Sequence, residues 1–265
     1  MSSNKGKQKR NDGRASDQII QIDHRNASYV CNCRTLEQKM AGDCWALNLM
    51  LYVEMLIAKQ VGKCPQLSYQ EMIDCFTPPI KSSFLVFFNH GASLVDACYF
   101  LLERGVLLEK YYPNEGIRPF REIIRKRRDL DIPESAWTKP IKDFHLFVPE
   151  THDLNDPKVI QQICNALDEK PILMGFAIGD DFDESMTNSW RIYAPRDDSE
   201  KRYAHRILWL DIELLDSFNS YGRQWGKKGF GRLLMCSEKN PIKAAIVFDI
   251  DKDWKPPDEW IPYLF

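Results

Sequence analysis

The chain has 265 residues, 44% hydrophobic and 28% charged, enough apolar mass for one sizeable core or two modest lobes and too much for disorder throughout. Its 36 Lys and Arg against 38 Asp and Glu give a formal net charge of −2, which excludes a global field for gathering nucleic acid or anionic membrane. No stretch is apolar for the length of a membrane span, and the first residues lack the apolar centre of a secretory signal.

Residues 1–17 are rich in Ser, Asn, Gly and Lys without apolar periodicity, so they are expected to form a solvated flexible arm. Lys5, Lys7, Lys9, Arg10 and Arg14 make this tail locally basic, so nucleic acid is not an expected partner except through it, and the expected location is cytoplasmic or nuclear. Cys44 to about Val61 is nearly continuously apolar at helical length, with no Pro or Gly until Gly62, and predicts a central helix buried on most sides. Ser68 to Cys75 predicts a second helix with Ser68 and Glu71 as a capping box. Ser93 to Arg104 predicts a third, ended by Gly105.

The character changes after the Pro133 and Pro140 region. Short β-prone runs follow at His145–Val148, Ile172–Ile178, Ile207–Leu215 and Ala244–Ile250, with one helix, Pro157 to Leu167, between the first two. Gly179 to Arg202 is acidic and polar apart from Trp190 and Tyr193 and predicts an irregular loop. Trp254, Trp260 and the prolines between them make an apolar C-terminal extension, residues 251–265, that docks on the domain or on a partner.

Eight cysteines could frame disulfides in a secreted chain, but without a signal free thiols are expected. Cys31-Asn32-Cys33 is too tight for a zinc pair and no second Cys/His pair completes a tetrahedral site, so no metal is expected. No phosphate loop, calcium loop or dinucleotide fingerprint is present, so no cofactor is expected either.

Cys44 opens the apolar run, and a thiol at a helix N-terminus faces unpaired N–H groups and the positive end of the dipole, which favour thiolate. A cysteine nucleophile needs a base, a group to orient that base, and donors for the tetrahedral oxyanion. His205 directly precedes the apolar run Ile207–Leu210, Asn219 lies in a polar turn after it, and Gln38 stands shortly before Cys44. An Asn side-chain oxygen can accept from one imidazole nitrogen and hold the other toward sulfur. Taken singly, each is an ordinary residue: a core cysteine, a packed histidine, a turn asparagine. Their joint order is what points to a site, and His24, His90, His145 and His152 have no comparable neighbours.

Several segments resemble the papain family of cysteine peptidases, in order from about Ile22 to Leu234. Ile22-Asp23-His24-Arg25 is similar to the family's first strand, Gln38 through Ala46 to its segment from Gln to nucleophile, and Leu67 through Cys75 to its second helix. Tyr112-Pro113-Asn114-Glu115-Gly116 resembles the turn leaving the helical lobe. Most specific is Asn219-Ser220-Tyr221-Gly222-Arg223-Gln224-Trp225-Gly226-Lys227-Lys228-Gly229-Phe230, close to the family's Asn-Ser-Trp-Gly, Trp-Gly, Gly-Tyr run.

The resemblance implies an α+β, two-lobed domain over residues 18–250. Its helical left lobe would span about 30–135 and its β-barrel-like right lobe about 136–250, with the cleft between. It implies a peptidase in which Cys44 is the nucleophile, His205 the acid and base, Asn219 the orienter and Gln38 an oxyanion donor. Gly91, Ala92, Arg206, Tyr221 and Trp225 would line the substrate cleft, and the partners would be a peptide or protein substrate and a protein inhibitor or regulator. Two rival readings use the same residues: a catalytically weak or inactive module that grips peptide, and an acyltransferase that passes the thioester to an amine.

The departures from the family pattern are specific. Ala41 and Asn89 stand at paired half-cystine positions, and Cys75 matches another whose partner site holds Arg121, which fits a reducing compartment. By that match the mature domain takes up most of the residues between the tail and Cys44, so no inhibitory pro-segment is expected, and restraint by narrow specificity, a regulator or poor turnover is expected instead. Gly91-Ala92 replaces a glycine pair, and Tyr221 replaces a tryptophan over the His–Asn bond. Arg206 stands where the family prefers a small residue. Turned inward it favours an acidic substrate side chain, and turned to solvent it does not.

Overall fold

A computed structural model describes residues 27–31, 33–34, 44–75, 94–115, 131–178, 192–193, 203–209, 216–218, 224, 230–233 and 242–265. A short helix α1 (Ser28–Cys31) leads to α2 (Cys44–Val61), α3 (Tyr69–Cys75) and α4 (Leu94–Arg104). Strands β1 (Val106–Leu107) and β2 (Trp137–Thr138) pair antiparallel beside them. Helix α2 has the extent expected, and every residue from Trp45 to Ala58 is buried, as a helix apolar all round requires. Gly62, at φ +79°, donates to the Ala58 carbonyl and ends it in the left-handed conformation.

Gly105 ends α4 in the same way at φ +88°, and a Cβ there would lie 2.3 Å from the Thr138 carbonyl oxygen of β2. Both the turn and the close approach therefore require glycine. At the start of α3 half of the expected capping box forms. Ser68 Oγ accepts from the Glu71 amide at 3.0 Å, but Glu71 turns to Arg104 Nε at 2.6 Å, while the Ser68 amide donates to Leu107 O.

The remaining strands are β3 (Ile141–Phe147), β4 (Ile172–Ile178), β5 (Ile192–Tyr193), β6 (Tyr203–Trp209), β7 (Asp216–Phe218), β8 (Phe230–Leu233) and β9 (Ile242–Ile250). They form a seven-stranded sheet in the order β3-β9-β4-β6-β7-β8-β5, antiparallel except for β5 beside β8. Among the described residues the order is open, with β3 and β5 at the edges. Helix α5 (Pro157–Glu169) begins with Asp156 accepting from the Lys158 amide and Pro157 in its first turn.

Both faces of the sheet's centre are covered, and alternation along the strands decides which residue goes where. Leu173, Ile246 and Phe248 join the core built by α1 to α4, which also takes in Ile141 and Trp260. Met174, Phe176, Ala245 and Val247 face the other way, packing with Leu154, Ile163 and Leu167 around α5. A strand buried on both faces reads as a continuous apolar run, which is why β4 and β9 were visible as such.

Three strands are longer toward their N-termini than their apolar runs, β9 by two residues because Ile242 pairs with Phe176. β3 starts at Ile141 because Ile141 pairs with Ile250, and β6 starts at Tyr203 because Tyr203 pairs with Ile178. The partner strand sets the length. His205 therefore lies within β6, where the sequence had placed it just ahead of a strand. In the expected loop Gly179 to Arg202, Ile192 and Tyr193 form β5; its other residues lie outside the described set, as do residues 1–17.

The C-terminal extension docks on its own chain. Trp260 is fully buried and meets Trp254 edge-on, Trp254 Nε1 donates to Thr138 Oγ1 at 2.7 Å, and Gln60 Nε2 donates to the Asp251 and Trp254 carbonyls. Phe265 exchanges both backbone hydrogen bonds with Cys64.

Candidate active site

Cys44 is the first residue of α2 and is half-buried, with its carbonyl accepting from Asn48 Nδ2 at 3.0 Å. From Trp45 to Ala58 the helix behind it has no face in water, so packing on all sides fixes its axis there. It packs against α1 and α3 and against strands β4 and β6. Tyr52, midway along it, is fully buried, stacks on Phe248 and accepts from the Phe248 amide at 3.2 Å, which locks helix to sheet.

His205 and Arg206 occupy consecutive positions in the middle of β6, opposite Phe176 and Gly175 of β4. The elements bearing Cys44 and His205 are thus packed neighbours. Gln38, Gly91, Ala92, Asn219, Tyr221 and Trp225 lie outside the described residues.

A feature that the motif reading passed over anchors the approach to this site. Glu54 is the one charged residue between Trp45 and Ala58, and it is fully buried. Its Oε1 accepts from Arg34 Nη2 at 2.9 Å and from the Leu67 amide at 2.8 Å. Arg34 also donates to the Leu67 carbonyl at 2.6 Å and to Glu109 Oε2. The middle of α2 thereby holds the segment at Arg34, four positions before Gln38, to the turn at Leu67 and the end of β1.

Burial pushes the Glu54 carboxyl up to about 7, with Arg34 and the Leu67 amide working against it. Burial works against the Arg34 charge, but Glu54 and Glu109 hold its pKa above the ordinary value. An isolated carboxylate in a long apolar run was the sequence signal, because such a group must find a partner.

Among the described residues no group of three or more His, Cys, Asp or Glu is placed to hold a metal ion. No described helix is long and apolar enough to cross a membrane. The chemistry this arrangement can support is that of a thiol at a rigid helix N-terminus beside a strand bearing an imidazole.

A family model described as papain family cysteine protease matches residues 20–250. The fold is similar to a cysteine protease of Carica candamarcensis, CMS1MS2, solved in complex with E-64, with TM-score 0.59 and 19% identity over 86% of this chain and 97% of that one. Digestive procathepsin L 3 of Tenebrio molitor gives TM-score 0.61 and 19% identity, covering 86% and 69%. The proform of Amb a 11, a cysteine protease and major ragweed pollen allergen, gives 0.63 and 17%, covering 90% and 67%. Among curated proteins none matches.

Proposed function

The chain belongs to the papain family of cysteine proteases, and from that premise we propose that it hydrolyses peptide bonds through a thioester on Cys44. His205 serves as acid and base, Asn219 orients its imidazole, and Gln38 with the Cys44 amide receives the oxyanion. The observation that carries the reading is the mounting of Cys44, half-buried as the first residue of an immobile helix that packs against the strand bearing His205.

In this mechanism the Cys44 thiolate attacks the peptide carbonyl and forms a carbon–sulfur bond. The His205 imidazolium gives its proton to the nitrogen as the carbon–nitrogen bond breaks and the amine leaves. Water, deprotonated by the neutral imidazole, then hydrolyses the thioester, releases the acid and restores the thiolate and imidazolium. Gly91, Ala92, Arg206, Tyr221 and Trp225 are assigned to the substrate cleft, and a protein regulator and a cytoplasmic or nuclear setting belong to the same proposal.

The test is an epoxide of the E-64 type, the ligand of the Carica candamarcensis structure, with the label located by mass spectrometry. Labelling of Cys44 that disappears in His205→Ala, together with peptide hydrolysis, is the expected result. No label on folded protein overturns it in favour of a peptide-binding module. Label with transfer to added amines, and none to water, overturns it in favour of an acyltransferase.

A further inference from the structure

Outside the candidate site two described thiols are in contact. Cys33 and Cys64 are both buried, at 8% and 3% exposure, and their sulfurs lie 2.6 Å apart. Cys33 sits just after α1 and its Sγ also approaches the Tyr29 carbonyl at 3.0 Å. Cys64 follows the Gly62 turn that ends α2, and its backbone is fixed on both sides by Phe265. Neither belongs to the half-cystine positions at Ala41, Asn89 or Cys75, and neither has a part in the peptidase mechanism.

We propose that Cys33 and Cys64 are a modification site, a dithiol that oxidises to a disulfide and staples the segment leading to Cys44 onto the far end of α2. Three observations support it independently. The sulfurs are already within about half an ångström of a covalent S–S distance of about 2.05 Å. The segment at 33–34 has a second fastening, the ion pair of Arg34 with Glu54, which keeps Cys33 beside Cys64 in the closed fold. The backbone of Cys64 is clamped by the Phe265 pairing, so closing the bond displaces neither chain.

The step balances with a small disulfide as oxidant. A sulfur–sulfur bond forms between Cys33 and Cys64, the oxidant's own sulfur–sulfur bond breaks, and its two sulfurs leave as thiols carrying the two protons. Hydrogen bonding to Cys64 and burial both keep the Cys33 thiol protonated, so exchange passes through local opening of residues 27–34. The bond closes a loop that contains both Gln38 and Cys44, and its effect is to restrict that loop in the unfolded chain.

The experiment uses the full chain, held overnight in sub-denaturing urea with graded ratios of oxidised to reduced dithiothreitol. Free thiols are then alkylated and the peptides mapped with fragmentation that separates Cys31 from Cys33. The expected result is a cross-link between Cys33 and Cys64 that persists in Cys31→Ser. The oxidised protein should also melt about 10 °C above the reduced one, a rise absent in Cys33→Ala. Alkylation of both sulfurs at every ratio, or a link from Cys64 to Cys31 or Cys44 instead, overturns it. The mapping needs no variant, so a misfolded Cys33→Ala leaves the outcome decisive. It is read by mass, so its failure is separate from any failure of peptidase activity.

Discussion

Helix α2 has a cysteine at its start and another just past its end, and the two live in opposite surroundings. Cys44 is half-buried on the first turn, where backbone N–H groups have no partners within the helix. Cys64 is 3% exposed beyond the C-terminal glycine, among carbonyl oxygens of Pro65 and Glu54 and against the thiol of Cys33. In the proposed mechanism this side chain reacts at one end of the helix, and in the proposed cross-link it fastens at the other. The lesson is that chemistry at one end depends on rigidity supplied along the helix and from beyond its other end, so turnover and stability should separate when each is perturbed.

The largest separation is expected from Cys44→Ala. Peptide turnover falls about 10⁴-fold or more, while the melting temperature stays near that of the unaltered protein; a steady-state assay beside a thermal melt checks both. Leu51→Ala, at a fully buried position in the body of α2, does the reverse. It removes about 2–5 kcal/mol in urea unfolding while the folded fraction still takes the epoxide label on Cys44. Gln38→Ala lowers kcat about 10²- to 10³-fold without abolishing hydrolysis and leaves unfolding unchanged.

Glu54→Gln probes the span between the two ends. Burial raises the Glu54 carboxyl to about 7, so the folded state keeps a proton that the unfolded chain has lost. Its contribution to stability is complete below about pH 4.5 and declines as pH rises toward about 7. The unfolding free energy from urea titrations across that window should fall with rising pH by roughly 1–3 kcal/mol and flatten in the Gln variant, with Arg34 and Glu109 the charged groups facing it. Smallest is Ser68→Ala, which strips the cap of α3 and leaves the Tyr112 carbonyl without the hydroxyl that donates to it at 2.6 Å. It should cost about 1 kcal/mol in unfolding and nothing in labelling of Cys44.

What was legible in the sequence was whatever depends on local pattern. The extents of α2 and β4 could be read because one is apolar at every position of a long helix and the other apolar on both faces of a strand. The papain-like character could be read because Gln38, Cys44, His205 and Asn219 fall in order within distinctive short motifs. The lengths of β3 and β6 could not, because Ile250 and Ile178, far along the chain, decide where those strands begin. Glu54 was conspicuous but its partner was not, since nothing local links it to Arg34. The meeting of Cys33, Cys64 and Phe265 was hidden for the same reason: three remote segments converge only after folding.

The unbroken burial of α2 also bears on how this chain can change over generations. From Trp45 to Ala58 no position faces water, so almost any charge introduced there must be buried, and the one already present is held by an arginine and a backbone amide. The candidate nucleophile thus stands on a stretch with little room for neutral drift.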